Sequence, residues 1–353
     1  MVRKEGIGSY FNYVSDGSSF TDSISIPFTY EIFYTGRHAL LFTLNEITGK
    51  KEIGEIWFPN YYCQHTLHWI KQFYANIKTY EIHPFEFDKH ISISDFAAPE
   101  DVVLLNNYWG LSSMPDYSNN DKPIIIEDHS HGWLSDACCN SKADYCFVSL
   151  RKSLPIPLGG IAWKPSAHLS VEIDDSSYDQ KCHDIWDEML VAMKLKTNYI
   201  NEESVVSDEY LSLFYEVENK LNQNKTFSWI REEDRAFINS LIRLNIKDLK
   251  NKNLKFLYEE LKDNSYFKIV KRDGFVAFGF DLIFESEIVF NSLRSYLISH
   301  GIYPSVLWPD NQVDYEWQFF LNIHVDFRYN LGDMEYIINV IKNWLKDQPT
   351  GIK

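Results

Sequence analysis

Short apolar runs, each ending in polar side chains, set the strongest limit on how this chain can fold. They fall at 55–59 (EIWFP), 77–82 (IKTYEI), 101–106 (DVVLLN), 124–126 (III) and 145–148 (YCFV). All are of strand length, and the last three lack the alternation of a half-solvated strand. Such runs predict parallel strands covered on both faces. Segments of helical character alternate with them up to about residue 165, the order of an α/β fold with a mostly parallel sheet flanked by helices.

The stretch 123–163 carries the chemistry. It opens PIIIEDHSHGWLSD and closes ADYCFVSLRKSLPIPLGGIAW. Its first apolar run stops at Glu127-Asp128-His129-Ser130-His131, its second at Ser149-Leu150-Arg151-Lys152. Ligands of open α/β sheets lie beyond the carboxyl ends of the strands, so Asp128 and Lys152 are expected to face one crevice. An acid and an amine placed there suit pyridoxal phosphate. Its aldehyde needs a lysine for a Schiff base, and its ring nitrogen needs an acid that keeps it protonated, so that the ring is an electron sink. Ser149 would offer a hydroxyl to the cofactor phosphate.

Composition removes other classes. A length of 353 residues suffices for a large core and two domains, and the formal charge of -16 speaks against nucleic-acid or anionic-membrane partners. The five cysteines, Cys63, Cys138, Cys139, Cys146 and Cys182, form no CxxC pair. With no secretory leader in MVRKEGIGSYF, they read as reduced thiols of a cytoplasmic protein. No run has the length of a membrane span.

Residues 1–28 read as an irregular arm. Thr35-Gly36-Arg37-His38-Ala39 opens an apolar-periodic helix, and such a turn can hold an anion on free backbone N–H groups. Pro59 stops a strand before Asn60-Tyr61-Tyr62-Cys63-Gln64, and a helix is expected from there to about residue 74. The 101–106 strand delivers Asn107, Tyr108, Trp109 and Gly110 to the same edge. Gly159-Gly160 marks a turn or a close approach. Charged amphipathic helices are expected at 180–197, 207–221, 232–243 and 246–262. Strands at 269–270, 276–281 and 319–325, with helices at 286–300 and 333–346, predict a smaller C-terminal α+β domain. The boundary is placed so that 1–228 form the large domain and 229–353 the small one.

The order of these parts resembles the fold-type-I pyridoxal-phosphate enzymes, and among them the DegT/StrS-like aminotransferases. Thr35-Gly36-Arg37-His38-Ala39 stands where that family has a Ser-Gly-Thr-Ala turn, and Pro59–Cys63 where it has a proline and an aromatic loop. Asn107-Tyr108-Trp109-Gly110 matches its polar residue and glycine turn. Glu127-Asp128-His129-Ser130-His131 matches its Glu-Asp-x-x-Gln, and Ser149, Lys152 and Gly159-Gly160 its serine, lysine and glycine pair. The resemblance covers about residues 30–165 in motifs and the remainder in element order. It implies a homodimeric aminotransferase that moves an amino group from an amino acid, plausibly glutamate, to a keto acceptor such as a nucleotide-linked keto sugar of polysaccharide biosynthesis. Lys152 would be the Schiff-base lysine and proton shuttle, and Asp128 the partner of the pyridine nitrogen. Ser149 and the backbone of Gly36 and Arg37 would hold the phosphate. Asn107 would line the site, and His131 would meet the ring hydroxyl in place of the family's glutamine. Tyr61 or Tyr62 would stack on the ring, although Cys63 has the matching offset from Pro59. Retention of Lys152 separates the chain from the family's dehydratase branch. The Ser-x-x-Lys spacing, the lack of a recognisable Gly-Asn-Arg segment after the lysine, and a loop at 170–180 with Glu172, Asp174 and Asp175 all depart from the pattern.

Other readings compete with these. Asp128, His129 and His131 are also a possible ligand set for a metal-dependent hydrolase. A divergent fold of this type could serve only as a binding partner. Arg151 reads as a phosphate contact or a solvated neighbour, and Arg37 as a phosphate or carboxylate fork or a helix-surface cation. His324, Asp326, Arg328, Tyr303, Trp308 and Pro309 could line the crevice from the small domain, but strand and loop packing accounts for them as well.

Overall fold

A computed structural model describes residues 4–8, 10–15, 23–87, 91–115, 121–169, 178–201, 206–311 and 315–348. The acidic residues Glu172, Asp174 and Asp175 lie outside them. The chain divides into two compact units. One comprises residues 10–245; the other joins residues 1–9, with the short strand β1 (Ile7–Gly8), to 246–353.

The larger unit is built on a seven-stranded sheet. Its elements, in chain order, are β2 (Glu31–Phe33), α1 (Gly36–Thr48), β3 (Ile56–Pro59), α2 (Gln64–Ile70), β4 (Ile77–Tyr80), β5 (Val102–Asn106), β6 (Ile124–Asp128), α3 (Asp136–Cys139), β7 (Tyr145–Ser149) and β8 (Gly160–Trp163). The helices α4 (Gln180–Ile200), α5 (Ser207–Gln223) and α6 (Glu232–Leu241) complete it. The strand order is β2-β8-β7-β6-β5-β3-β4. Only β8 runs against its neighbours β7 and β2; the remaining pairs are parallel. Side chains from Val102 to Leu105, Ile125, Ile126, and Cys146 to Val148 are buried on both faces, as their unbroken apolar runs require. Each large aliphatic among them contributes roughly 1.5–3 kcal/mol on burial. Register sets Asp128 opposite Asn106 on one side and Phe147 on the other. The carboxyl ends of β5, β6 and β7 therefore open onto one edge.

Two strands escape the pattern search. Residues 31–33 and 160–163 form β2 and β8, the antiparallel margin of the sheet. A three-residue run beside a glycine pair carries too little period to be recognised. The helix expected to reach 74 stops at Ile70. Gln72 and Phe73 donate to carbonyls three residues back, so the chain has already tightened into a turn. The two units divide at 245–246, where the sequence reading put the boundary at 228. Trp229 lies 5.8 Å from the Phe33 ring and the Tyr34 hydroxyl donates to Asp234, so α6 belongs to the larger unit.

The smaller unit contains α7 (Ile246–Glu260), β9 (Lys268–Val270), β10 (Phe280–Phe284), α8 (Glu287–Ser299), β11 (Ile302–Tyr303), β12 (Phe319–Ile323) and α9 (Leu331–Lys346). Strands β9, β10 and β12 form an antiparallel sheet with β10 central, while β1 pairs in parallel with β11. The strand expected at 276–281 begins at Phe280 instead. A Cβ on Gly279 would lie 2.1 Å from the Asn322 amide nitrogen, so the chain passes over its neighbour through the glycine before pairing. The arm read as irregular holds β1, whose partner stands almost three hundred residues away. Asn330 and Asp333 cap α9 reciprocally. Among the described residues, no helix is long and apolar enough to cross a membrane.

Candidate active site

The strand ends of the larger unit bring most of the expected residues to one edge. Thr35 caps α1, its hydroxyl accepting from the His38 N–H at 3.2 Å. The first residues of the helix then lie against the end of β7 and the start of β8. A Cβ on Gly36 would stand 2.9 Å from the Ser149 Cβ, and one on Gly160 would stand 2.4 Å from the Thr35 carbonyl. Glycine at both positions lets the helix start descend onto the sheet edge beside Ser149. A helix N-terminus presents unpaired N–H groups and the positive end of its dipole, which suits an anion.

Asp128, at the end of β6, is buried and doubly held. The Tyr62 hydroxyl donates to Oδ2 at 2.6 Å, and the Ser130 N–H donates to Oδ1 at 2.8 Å. Burial pushes the Tyr62 phenol well above its usual range, and the Asp128 charge adds to this, so the phenol stays a donor. A carboxylate has about four lone-pair sites, so two donors leave room for a third. Ser130 also accepts from the Ser149 N–H at 2.9 Å, which ties the end of β7 to the turn after β6.

Lys152 closes a 3₁₀ turn over Leu150–Lys152, directly after β7. Its Nζ lies 3.1 Å from Nε2 of His131, a contact that joins the two strand ends. Burial pulls the amine below the ordinary lysine range; Cys63 and Asp128 pull the other way, and Arg151 reinforces the lowering. The site thus favours a neutral, nucleophilic amine more than water does.

Other candidates lie elsewhere in the network. Arg37 is buried, not a helix-surface cation, and its guanidinium turns to the Leu221 and Asn224 carbonyls at the end of α5, over the Trp69 ring. Burial, with help from the Arg151 charge, lowers its pKa to about 10. Its side chain is committed to that helix end; its backbone N–H remains at the start of α1. Arg151 forms a two-pronged ion pair with Glu218, at 2.5 and 3.2 Å. Asn107 holds loops together: its amide nitrogen donates to Ser135 Oγ at 3.2 Å and lies equally near His129 Nδ1, while its carbonyl oxygen accepts from the Ser112 N–H. Tyr61 packs edge-on against Phe85 and Trp109, and its carbonyl accepts from the Tyr108 hydroxyl.

Trp109 had no assigned role, yet its ring stacks on His131 with centroids 5.1 Å apart and planes within 12°. It has φ 56, a conformation rare for a bulky side chain, and the following Gly110 has φ 75. An aromatic pair before a glycine at a strand end was the available signal.

The proposed metal set does not assemble. Asp128 binds Tyr62, His131 meets Lys152, and His129 Nε2 lies 2.8 Å from Glu127 Oε2. Among the described residues, the one group with metal-ligand proximity is Glu127, His129 and Cys146. Those side chains, with Ser141 donating to Glu127 at 2.6 Å, bond one another. In the smaller unit, His324 Nε2 lies 2.6 Å from Ser305 Oγ, and Arg328 pairs with Asp326. Tyr303 packs on Gly6 and Gly8, and Trp308 sits in a positive-φ turn.

No family model matches this sequence, and no curated protein matches it. The fold is nonetheless shared with solved structures. AtS13 from Actinomadura melliaura superposes with a TM-score of 0.60 at 11% identity, over 96% of this chain and 99% of that one. The sugar aminotransferase CalS13 from Micromonospora echinospora gives 0.55 at 14% identity, over 89% and 87%. A GDP-4-keto-6-deoxymannose-3-dehydratase, solved with a trapped PLP-glutamate geminal diamine, gives 0.57 at 14%, over 88% and 87%. The α/β class with its mostly parallel sheet is therefore the fold of these structures, a sugar aminotransferase and a keto-sugar dehydratase among them.

Proposed function

We propose that the chain is a pyridoxal-phosphate-dependent aminotransferase. The observation that supports this most is the lysine amine with lowered proton affinity and the buried carboxylate, carried on adjacent strands beside a glycine-lined helix start. The residues present fit the cofactor. The start of α1, through the N–H groups of Gly36 and Arg37, and the Ser149 hydroxyl would take its phosphate. Asp128 would hold the ring nitrogen, and His131 would stand near the ring hydroxyl. When bound, pyridoxal phosphate supplies an aldehyde for the amine and a ring that stabilises negative charge at the substrate carbon.

The protein's own part is positional and protonic. Lys152 Nζ would hold the proton that leaves the donor's α-carbon. Tyr62 and the Ser130 N–H orient Asp128. Trp109 covers one face of His131, and the buried strands exclude water from below.

By analogy with the sugar aminotransferase and the GDP-keto-sugar dehydratase of the same fold, the acceptor is read as a nucleotide-linked keto sugar and the donor as glutamate; polysaccharide biosynthesis is the setting that the sequence resemblance implies. Small molecules are then the partners, in a cytoplasmic homodimer, which sedimentation would test. Lys152→Ala should abolish both the visible absorbance that develops with added pyridoxal phosphate and all turnover; a variant that kept both would sink the assignment.

A further inference from the structure

We propose that Lys152 and His131 share a single proton and act as one two-base unit, with His131 taking the proton from Lys152 when the amine must be neutral. This rests on the reading of Lys152 as the reacting amine and goes beyond it, because it makes the histidine a second catalytic base.

The geometry carries the inference. Nζ and Nε2 lie 3.1 Å apart. At that separation one nitrogen donates and the other offers a lone pair. With both protonated, two N–H groups and two positive charges would face each other in a buried site, which like-charge repulsion disfavours. The imidazole is held in place: it is 1% exposed, and Trp109 lies parallel to it. Trp109 is fixed in turn by its indole N–H, which donates to the Pro84 carbonyl at 2.9 Å, and by Phe85 stacked on it at 5.9 Å. The ring therefore stays against the amine.

Among the described residues, Asp128 and Arg151 beside the pair are engaged with partners of their own. Asp128 accepts from Tyr62 and Ser130, and Arg151 pairs with Glu218. Asp128 and Cys63 favour the charged amine, while Arg151 opposes it. A glutamine at position 131, the residue of the family that the sequence resembles, could bond the amine but could not accept its proton. In the step itself, an Nζ–H bond of the ammonium breaks and an Nε2–H bond forms. The charge moves to the imidazolium and the lone pair remains on Nζ; reversal restores the start.

The test begins on the full chain without cofactor. Its histidines are labelled with 15N and titrated by NMR, in the native sequence and in Lys152→Met. The His131 midpoint should lie at least about one pH unit lower in the native chain, a tenfold or greater difference in proton affinity. Conversely, the pH at which Lys152 becomes reactive to an acylating reagent, followed peptide by peptide, should move in His131→Gln. His131→Asn serves if the glutamine variant does not fold. Midpoints indifferent to the other member overturn the proposal.

Pyridoxal phosphate is then added. Visible absorbance should develop at least tenfold more slowly in His131→Gln near neutral pH, with the deficit vanishing in alkali, where the amine is neutral anyway. Equal rates at every pH would also overturn the proposal. Linked titrations in a chain that develops no absorbance would keep the pair and sink the cofactor reading.

Discussion

Tyr62 shows how one side chain can be close to an expectation and still have another job. As an aromatic after Pro59 it was a candidate to stack on a ring. In the structure its value lies in the hydroxyl, bound to Asp128 at 2.6 Å in a buried place. A hydrogen bond to a charged group is worth about 1.5–3 kcal/mol, more than a neutral pair. Tyr62→Phe should therefore lower stability by about 2 kcal/mol in urea unfolding. It should also weaken cofactor binding through a less well-oriented Asp128, without removing the visible absorbance. An unchanged urea midpoint would show that the bond does not contribute. Arg37 makes a related point: residue type suggested a fork for an anion, and burial turned the fork toward a helix end.

Elements meet where two glycines allow it. The start of α1 descends onto β7 and β8 because Gly36 and Gly160 carry no Cβ. A methyl at 160 would strike the Thr35 backbone carbonyl, which cannot rotate away as a side chain could. Gly160→Ala should cost about 1–3 kcal/mol, typical of overpacking, and should weaken phosphate-dependent cofactor affinity by displacing the helix start. Calorimetry with pyridoxal phosphate against pyridoxal would separate the two effects. In the smaller unit, α9 depends on the reciprocal cap of Asn330 and Asp333. Asn330→Ala should lose about 1 kcal/mol, read from the thermal midpoint.

For the molecule as a whole, the pH response contains two buried groups of the smaller unit that take no part in the proposed chemistry. Asp281 on β10 is pushed up to about 8, chiefly by burial, and Lys250 on α7 is pulled down to about 8 by the same cause. The ordinary values are 3.8 and 10.5. Because the Asp281 value is raised on folding, its contribution is complete below pH 3.8 and is lost as pH rises through about 8. Because the Lys250 value is lowered, its contribution is complete above pH 10.5 and is lost as pH falls through about 8. Stability of the smaller unit should pass through a minimum near pH 8, at least about 1 kcal/mol below its value at pH 5. Asp281→Asn should flatten the acid side of that profile in urea titrations and leave the alkaline side; a profile with no such minimum would refute the assignment.

The apolar runs alone were enough to place the parallel centre of the sheet and to put Lys152 and Asp128 at its strand ends. Strands β5, β6 and β7 are buried on both faces, so their apolar runs had to be continuous and were visible. Lys152 and Asp128 follow those runs directly, so their placement at strand ends came with the strands. The rest depended on how distant segments pack. The margin strands β2 and β8 are short and rich in neighbouring glycine, and β1 finds β11 across nearly the whole chain. The stack of Trp109 on His131, and of His131 against Lys152, joins three different strand ends. No periodicity links residues 109, 131 and 152. Their meeting depends on the spacing of strands across the sheet and on rings packed too tightly to turn.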